Sequence, residues 1–148
     1  MKVVIQKSGP ASVIIEGKPK KEISGGLVIL LGITNGDTEK DIDYLVEKIS
    51  NLRLFDDNEK SFNKSVLETK KEILIISQFT LYASCKKGRR PDFSTAAKGD
   101  IAKPLYEKFI KKLKEKELKV ETGEFAAMME VNISNQGPIT IIIDTKDV

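Results

Sequence analysis

Histidine is absent from this 148-residue chain. That removes Ser-His and Cys-His catalysis and the commonest zinc ligand, so any chemistry must proceed without the usual general base. Cysteine occurs once, as Cys85, which excludes an internal disulfide and fits a reducing cytoplasm. Tryptophan is missing too, and nine aromatics (six Phe, three Tyr) argue against the surface platforms on which single-strand RNA binders stack bases. The longest apolar run, Leu27 to Leu31, is far too short to span a bilayer. A strand pattern opens at Met1, so neither a signal peptide nor a transmembrane helix is expected.

What is present reads as a globular protein. The chain is 40% hydrophobic and 32% charged, and its length suits a single domain over residues 1–148, burying roughly two-thirds of its unfolded surface. There is no internal repeat, low-complexity tract or Pro/Ser-rich linker. The net charge of +3 is modest but uneven. Lys86, Lys87, Arg89 and Arg90 crowd into one short stretch, which suits phosphate contacts or, more plainly, a solvated loop.

Hydrophobic period assigns the elements. Met1–Lys7 alternates around Val3 and Ile5, and Ser12–Glu16 continues in that style after a break at Ser8-Gly9-Pro10. "LVILLGIT" after Gly25-Gly26 reads as a strand covered on both faces. From Asp37 to Leu52 the period becomes helical, with Ile42, Leu45, Val46, Ile49 and Leu52 on one stripe and Thr38 with Asp41 resembling a capping box. "EILIISQFTLYA" reads as a further buried strand. Ile101–Leu118 reads as a second helix with Ile101, Leu105, Phe109 and Leu113 facing inward. Met128–Ile133 and Ile139–Asp144 complete the strands. Several strands precede each helix, which favours α+β over a regularly alternating parallel sheet.

Two stretches carry polar groups among apolar ones. In "SQFTLYASCKKGRRPDF" the strand period puts Ser77, Phe79 and Leu81 on one face and Gln78, Thr80 and Tyr82 on the other. Such groups either line a pocket or bond to nearby backbone. In "SNQGPITIII" a Gly-Pro pair stands directly before a strand, either as a simple turn or as backbone shaped for use.

Taken together these stretches resemble the D-aminoacyl-tRNA deacylases of the bacterial and eukaryotic type. "SQFTL" at Ser77–Leu81 matches that family's strand motif, and "NQGPIT" at Asn135–Thr140 resembles its second motif. "VVIQKSGPASVIIEG", "GGLVILLGI", "KISNLRLFDD", "GRRPDFSTAA" and "TGEFAAMMEV" fall in the family's order, so the resemblance spans nearly the whole chain.

The resemblance implies a homodimer of α+β subunits, each with a largely antiparallel, barrel-like sheet and two main helices, and with active sites at the interface. The substrate would be the 3′ acceptor end of an aminoacylated tRNA, with no cofactor, no metal, no DNA and no membrane partner, in the cytoplasm. Ser77, Gln78, Phe79 and Thr80 would form the catalytic segment, with backbone N–H groups around Phe79 and Thr80 serving the oxyanion. Gly137 and Pro138 of one subunit, joined by a cis bond, would enter the other's pocket and exclude L-amino acids, while glycyl-tRNA is partly accepted. Phe125, Ala126, Ala127, Met128 and Met129 would wall the adenosine pocket, although the same pattern suits ordinary core. Lys86, Lys87, Arg89 and Arg90 would follow tRNA phosphates. Lys7 stands where the family has an arginine bracing the Gly-Pro segment, and glycine and aspartate are common at positions 126 and 128. Thr80 has no histidine to activate it, so water assisted by the ribose 2′-hydroxyl is the preferred nucleophile. The competing reading is a non-catalytic RNA-binding homodimer.

Overall fold

A computed structural model describes residues 1–148. Strand β1 runs unbroken from Lys2 to Ile14, through the Ser8-Gly9-Pro10 stretch where the sequence pattern places an interruption. β2 (Lys21–Ile23), β3 (Gly26–Gly32), β6 (Glu72–Ser77) and β7 (Val120–Thr122) extend the sheet in the order β2-β1-β3-β6-β7. β8 (Glu130–Asp144) lies along the other side of β1. The two strands expected at the C-terminal end are therefore one. β4 (Arg53–Phe55) and β5 (Lys64–Ser65) form a separate small ribbon.

The sheet is mixed rather than largely antiparallel. β1 pairs antiparallel with β2, β3 and β8, but β3–β6 and β6–β7 are parallel. Parallel pairs need crossovers. α1 (Glu39–Asn51) lies in the first, with the one-turn helix α2 (Val66–Thr69) that periodicity did not reveal. α3 (Gly99–Glu115) lies in the second.

α1 starts where expected: the Thr38 N–H donates to Asp41 Oδ2 at 2.8 Å. In α3 the inward stripe is Ala102, Tyr106, Phe109 and Leu113. Ile101 stands 45% exposed, because strict four-residue steps drift around a helix of 3.6 residues per turn, whereas alternating steps of four and three hold one face.

Both long helices pack with Val3, Ile5, Leu27, Ile29, Leu31, Ile73 and Ile75 in one large core. On the alternate positions Val28, Leu74 and Ile76 point to the other face. There they meet Ala11, Val13 and Ile23, with Met129, Val131 and Ile133 from and beside β8 packed against them. The sheet thus curls into a nearly closed, barrel-like form. No helix is long and apolar enough to cross a membrane.

Candidate active site

β6 ends at Ser77, and the next four residues do not continue it. Gln78 N–H makes the last ladder bond, to Leu31 O at 2.8 Å, and Phe79–Tyr82 then closes into a 3₁₀ turn. Leu81 N–H bonds Gln78 O at 3.3 Å and Ala83 N–H bonds Thr80 O at 3.0 Å. The strand-face alternation read from Ser77 to Tyr82 therefore does not apply. The apolar composition of Phe79–Tyr82 suits a strand, but β7 pairs with β6 only as far as Ile75 and β3 itself ends at Gly32, so neither neighbour offers a ladder to extend. Gly32 makes the turn possible. A Cβ there would lie 3.0 Å from Leu81 Cβ and 3.1 Å from Gln78 O, so the turn sits directly on bare backbone.

A cavity of about 610 Å³ opens at the C-terminal ends of the parallel strands β3 and β6. Ser77, Gln78, Phe79 and Thr80 form one wall. Phe125, Ala126, Ala127, Met128 and Met129 form another, so the structure brings both groups of predicted residues to one hollow. Leu31, Ile33, Ala97, Gly99 and Ala102 also line it; nothing in their sequence pattern distinguishes them from core. Met128 sits at the rim, 91% exposed.

Phe125 is fixed from behind by Tyr106, with ring centroids 5.7 Å apart. The Tyr106 hydroxyl in turn donates to Ile75 O at 3.2 Å, and burial pushes its phenol above the ordinary value. Ala126 adopts φ 62°, the left-handed region that favours glycine.

No Asp, Glu, Lys or Arg lines the cavity. The polar groups it offers are the Ser77 and Thr80 hydroxyls, the Gln78 amide and backbone N–H groups. Gln78 Nε2 donates to Thr80 Oγ1. At the start of a 3₁₀ turn, the N–H groups of Phe79 and Thr80 have no partner within the turn. Such a wall can hold an acyl group and donate hydrogen bonds to an oxyanion, but contains no side chain able to take a proton near neutral pH. No group of three or more Cys, Asp or Glu side chains is arranged so that it could hold a metal ion.

The basic loop leaves this same turn. Ser84 and Asp92 bond reciprocally at 2.7 and 2.9 Å, closing a small hairpin whose tip carries Lys86, Lys87, Arg89 and Arg90. All four are exposed and none is in an ion pair. The hairpin is tied down by Thr95, whose hydroxyl donates to Tyr82 O at 2.9 Å while its carbonyl accepts Thr34 Oγ1 at 2.5 Å. Contrary to the expectation from composition, two aromatics remain open here: Phe79 is 56% and Phe93 37% exposed.

Gly137 and Pro138 stand apart from this chain's cavity. Their peptide bond is cis. The β1–β8 ladder passes from Gln6↔Thr140 to Ser8↔Asn135, so Gln136, Gly137, Pro138 and Ile139 bulge out against Lys7 alone. Gly9 and Pro10 form a second irregularity immediately beside it. Asn135, the first residue of the NQGPIT motif but given no role of its own from the sequence, braces the excursion: its Nδ2 donates to Thr140 Oγ1 at 3.0 Å and its Oδ1 accepts from Ile139 N–H at 3.3 Å. Lys7 sends its ammonium to Asp56 Oδ2 at 3.3 Å and over the Phe55 ring. The Asp56 carboxyl is held below its ordinary value, first by the Phe62 N–H and then by Lys7.

The fold places the chain among proteins with this curled mixed sheet. It superposes with a TM-score of 0.84 on a structure described as a probable eukaryotic D-amino acid tRNA deacylase, covering 96% of this chain and 97% of that one at 14% identity, a likeness of fold alone. The chain belongs to the D-Tyr-tRNA(Tyr) deacylase family, whose model matches residues 4–144. It is 54% identical to the D-aminoacyl-tRNA deacylase of Aquifex aeolicus over all of both chains. It is 51% identical to that of Thermosipho melanesiensis, over 100% of this chain and 99% of the relative. A solved structure named c-Myc DNA Unwinding Element Binding Protein shares 40% identity and a TM-score of 0.90, covering 98% of this chain and 99% of that one.

Proposed function

We propose that residues 1–148 form one catalytic domain that hydrolyses the ester joining a D-amino acid to the 3′-terminal adenosine of tRNA, releasing both. Family membership supports the activity. The observation that carries its placement is the uncharged cavity between Ser77–Thr80 and Phe125–Met129. Phe125, Ala126, Ala127 and Met129 offer the flat apolar walls that a purine requires. The aminoacyl ester then faces the polar turn.

With no ionisable side chain in the cavity, rate enhancement falls to positioning and oxyanion stabilisation. The N–H groups of Phe79 and Thr80 donate to the developing oxyanion, and water attacks with help from the substrate's own ribose 2′-hydroxyl. That requirement makes the partner RNA rather than DNA. Lys86, Lys87, Arg89 and Arg90 take the phosphates of the acceptor end. The setting is the cytoplasm, where charged tRNA is found.

Selection for handedness acts between two copies of the chain. The Gly137-Pro138 excursion of one subunit enters the cavity of the other, where backbone carbonyls accept from the α-ammonium and occupy the space an L side chain needs. Supporting this are the excursion's exposure and its separation from the cavity of its own chain. Asn135 supports the excursion from behind, and Lys7 underlies it as the residue opposite in β1, with its ammonium engaged by Asp56. Glycine, with no side chain to exclude, passes the filter, so glycyl-tRNA is cleaved too.

Incubation with D- and L-tyrosyl-tRNA, following release of free tyrosine, tests the reading. Cleavage of the D form alone is expected. A non-catalytic RNA-binding homodimer would cleave neither and retard both on a gel. Sedimentation at micromolar concentration tests the dimer.

A further inference from the structure

Phe79 and Phe93 pack edge to face, with ring centroids 5.1 Å apart and planes at 68°. This contact uses an edge of one ring against a face of the other and leaves Phe79 56% and Phe93 37% exposed. Phe79 lines the cavity whereas Phe93 does not. Phe93 therefore stands one ring further out from the hollow, beside the hairpin.

Its backbone is well held. Asp92, next to it, makes the hairpin-closing bonds with Ser84, and the Asp92 carboxylate accepts from Ser94 N–H at 3.0 Å and Ser94 Oγ at 2.8 Å. Phe93 O accepts Ala96 N–H at 3.0 Å. Arg90 lies three residues before it on the same hairpin, and none of the four hairpin cations has an acidic partner. An anchored, open ring beside unpaired cations is the combination by which proteins hold single-stranded nucleic acid: a face for a base and charge for its phosphate.

We infer that Phe93 is the stacking platform for the unpaired nucleotide immediately 5′ of the terminal adenosine, with that nucleotide's phosphate taken by the hairpin cations. This rests on the proposed function in so far as the adenosine occupies the cavity. Phe79 then separates two adjacent subsites, one enclosed and one open. The outer subsite is tolerant of base identity, because every base presents a π face.

The test uses calorimetric titration of the full chain with adenosine 5′-monophosphate and with the single-stranded trinucleotide CCA. The wild type should bind CCA at least tenfold more tightly than the mononucleotide. Phe93→Leu keeps bulk against Phe79 but loses the aromatic face. It should weaken CCA binding about tenfold while leaving the mononucleotide within twofold. Phe93→Trp should restore CCA binding. Equal affinity of the wild type for the two probes, equal loss of both in Phe93→Leu, or no restoration by Phe93→Trp overturns the inference. Neither probe carries an aminoacyl ester, so a protein that binds CCA through Phe93 but spares D-tyrosyl-tRNA would lose the proposed activity and keep this subsite.

Discussion

Gln78 Nε2 donates its hydrogen bond to Thr80 Oγ1, so the one hydroxyl in the turn best placed to attack an ester is paired with an amide. An amide cannot take a proton at neutral pH, and an N–H aimed at the oxygen draws on the lone pair a nucleophile would use. The pair holds the turn in shape rather than activating it. Thr80→Ala should therefore keep kcat for D-tyrosyl-tRNA within about tenfold of wild type. A loss nearer the roughly millionfold seen when a true nucleophile is removed, with circular dichroism unchanged, would assign covalent catalysis to Thr80.

Gly137 has φ +118°, and a Cβ there would lie 2.6 Å from Ile139 Cγ1 and 2.8 Å from Ile139 N. Backbone in this region costs about 1–3 kcal/mol for a residue with a side chain, so Gly137→Ala must displace the excursion. Hydrolysis of L-tyrosyl-tRNA relative to the D form should rise. Asn135→Ala, which removes both bracing bonds, should shift that ratio in the same direction. Unchanged ratios in both variants would remove the excursion from chiral selection.

Salt should weaken substrate binding. If the hairpin cations bind phosphates, KM for charged tRNA rises steeply with ionic strength. Replacing Lys86 and Arg90 by Ala should flatten the log–log slope by about 0.7 for each phosphate no longer neutralised, the single-strand value. A slope equal to wild type would make the hairpin a solvated loop.

Ala126 is held at φ 62° beside the cavity. The left-handed region costs an alanine roughly 1–2 kcal/mol more than a glycine. Ala126→Gly should raise stability by about 1 kcal/mol, or about 3 °C in Tm for a chain of this size. Calorimetry would read it directly; a lower Tm would mean that the alanine methyl contributes packing that outweighs the backbone cost.

Acid stability should depend on Asp41. Partial burial alone would raise its pKa. Hydrogen bonds from Thr145 Oγ1 and from the Thr38 N–H and hydroxyl, with the Met1 ammonium nearby, outweigh burial and hold it at about 2 instead of 3.8. A depressed carboxylate contributes stability that is complete above its unfolded pKa and lost as pH falls through the folded one. Denaturant midpoints should therefore fall between about pH 4 and pH 2. Thr145→Val should move that loss to higher pH, and coincident curves for variant and wild type would sink the assignment.

Much here follows from order along the chain. The α1 stripe from Ile42 to Ile49, its capping by Thr38 and Asp41, and the buried runs Leu27–Leu31 and Ile73–Ile76 are properties of local period and composition, which short-range sterics and burial translate directly into helix and strand. The family, too, was legible in Ser77–Leu81 and Asn135–Thr140. Pairing between distant segments was not. Whether Lys2–Ile14 is one strand or two depends on β2, β3 and β8 bonding along it, and whether Phe79–Tyr82 extends β6 depends on β7 stopping short and Gly32 lying bare beneath. The four-residue excursion opposite Lys7, the meeting of Ser77–Thr80 with Phe125–Met129, and the open Phe79–Phe93 pair arise the same way. Periodicity reports which face of an element is apolar, but only the closed sheet decides which partner that face meets and where a ladder runs out.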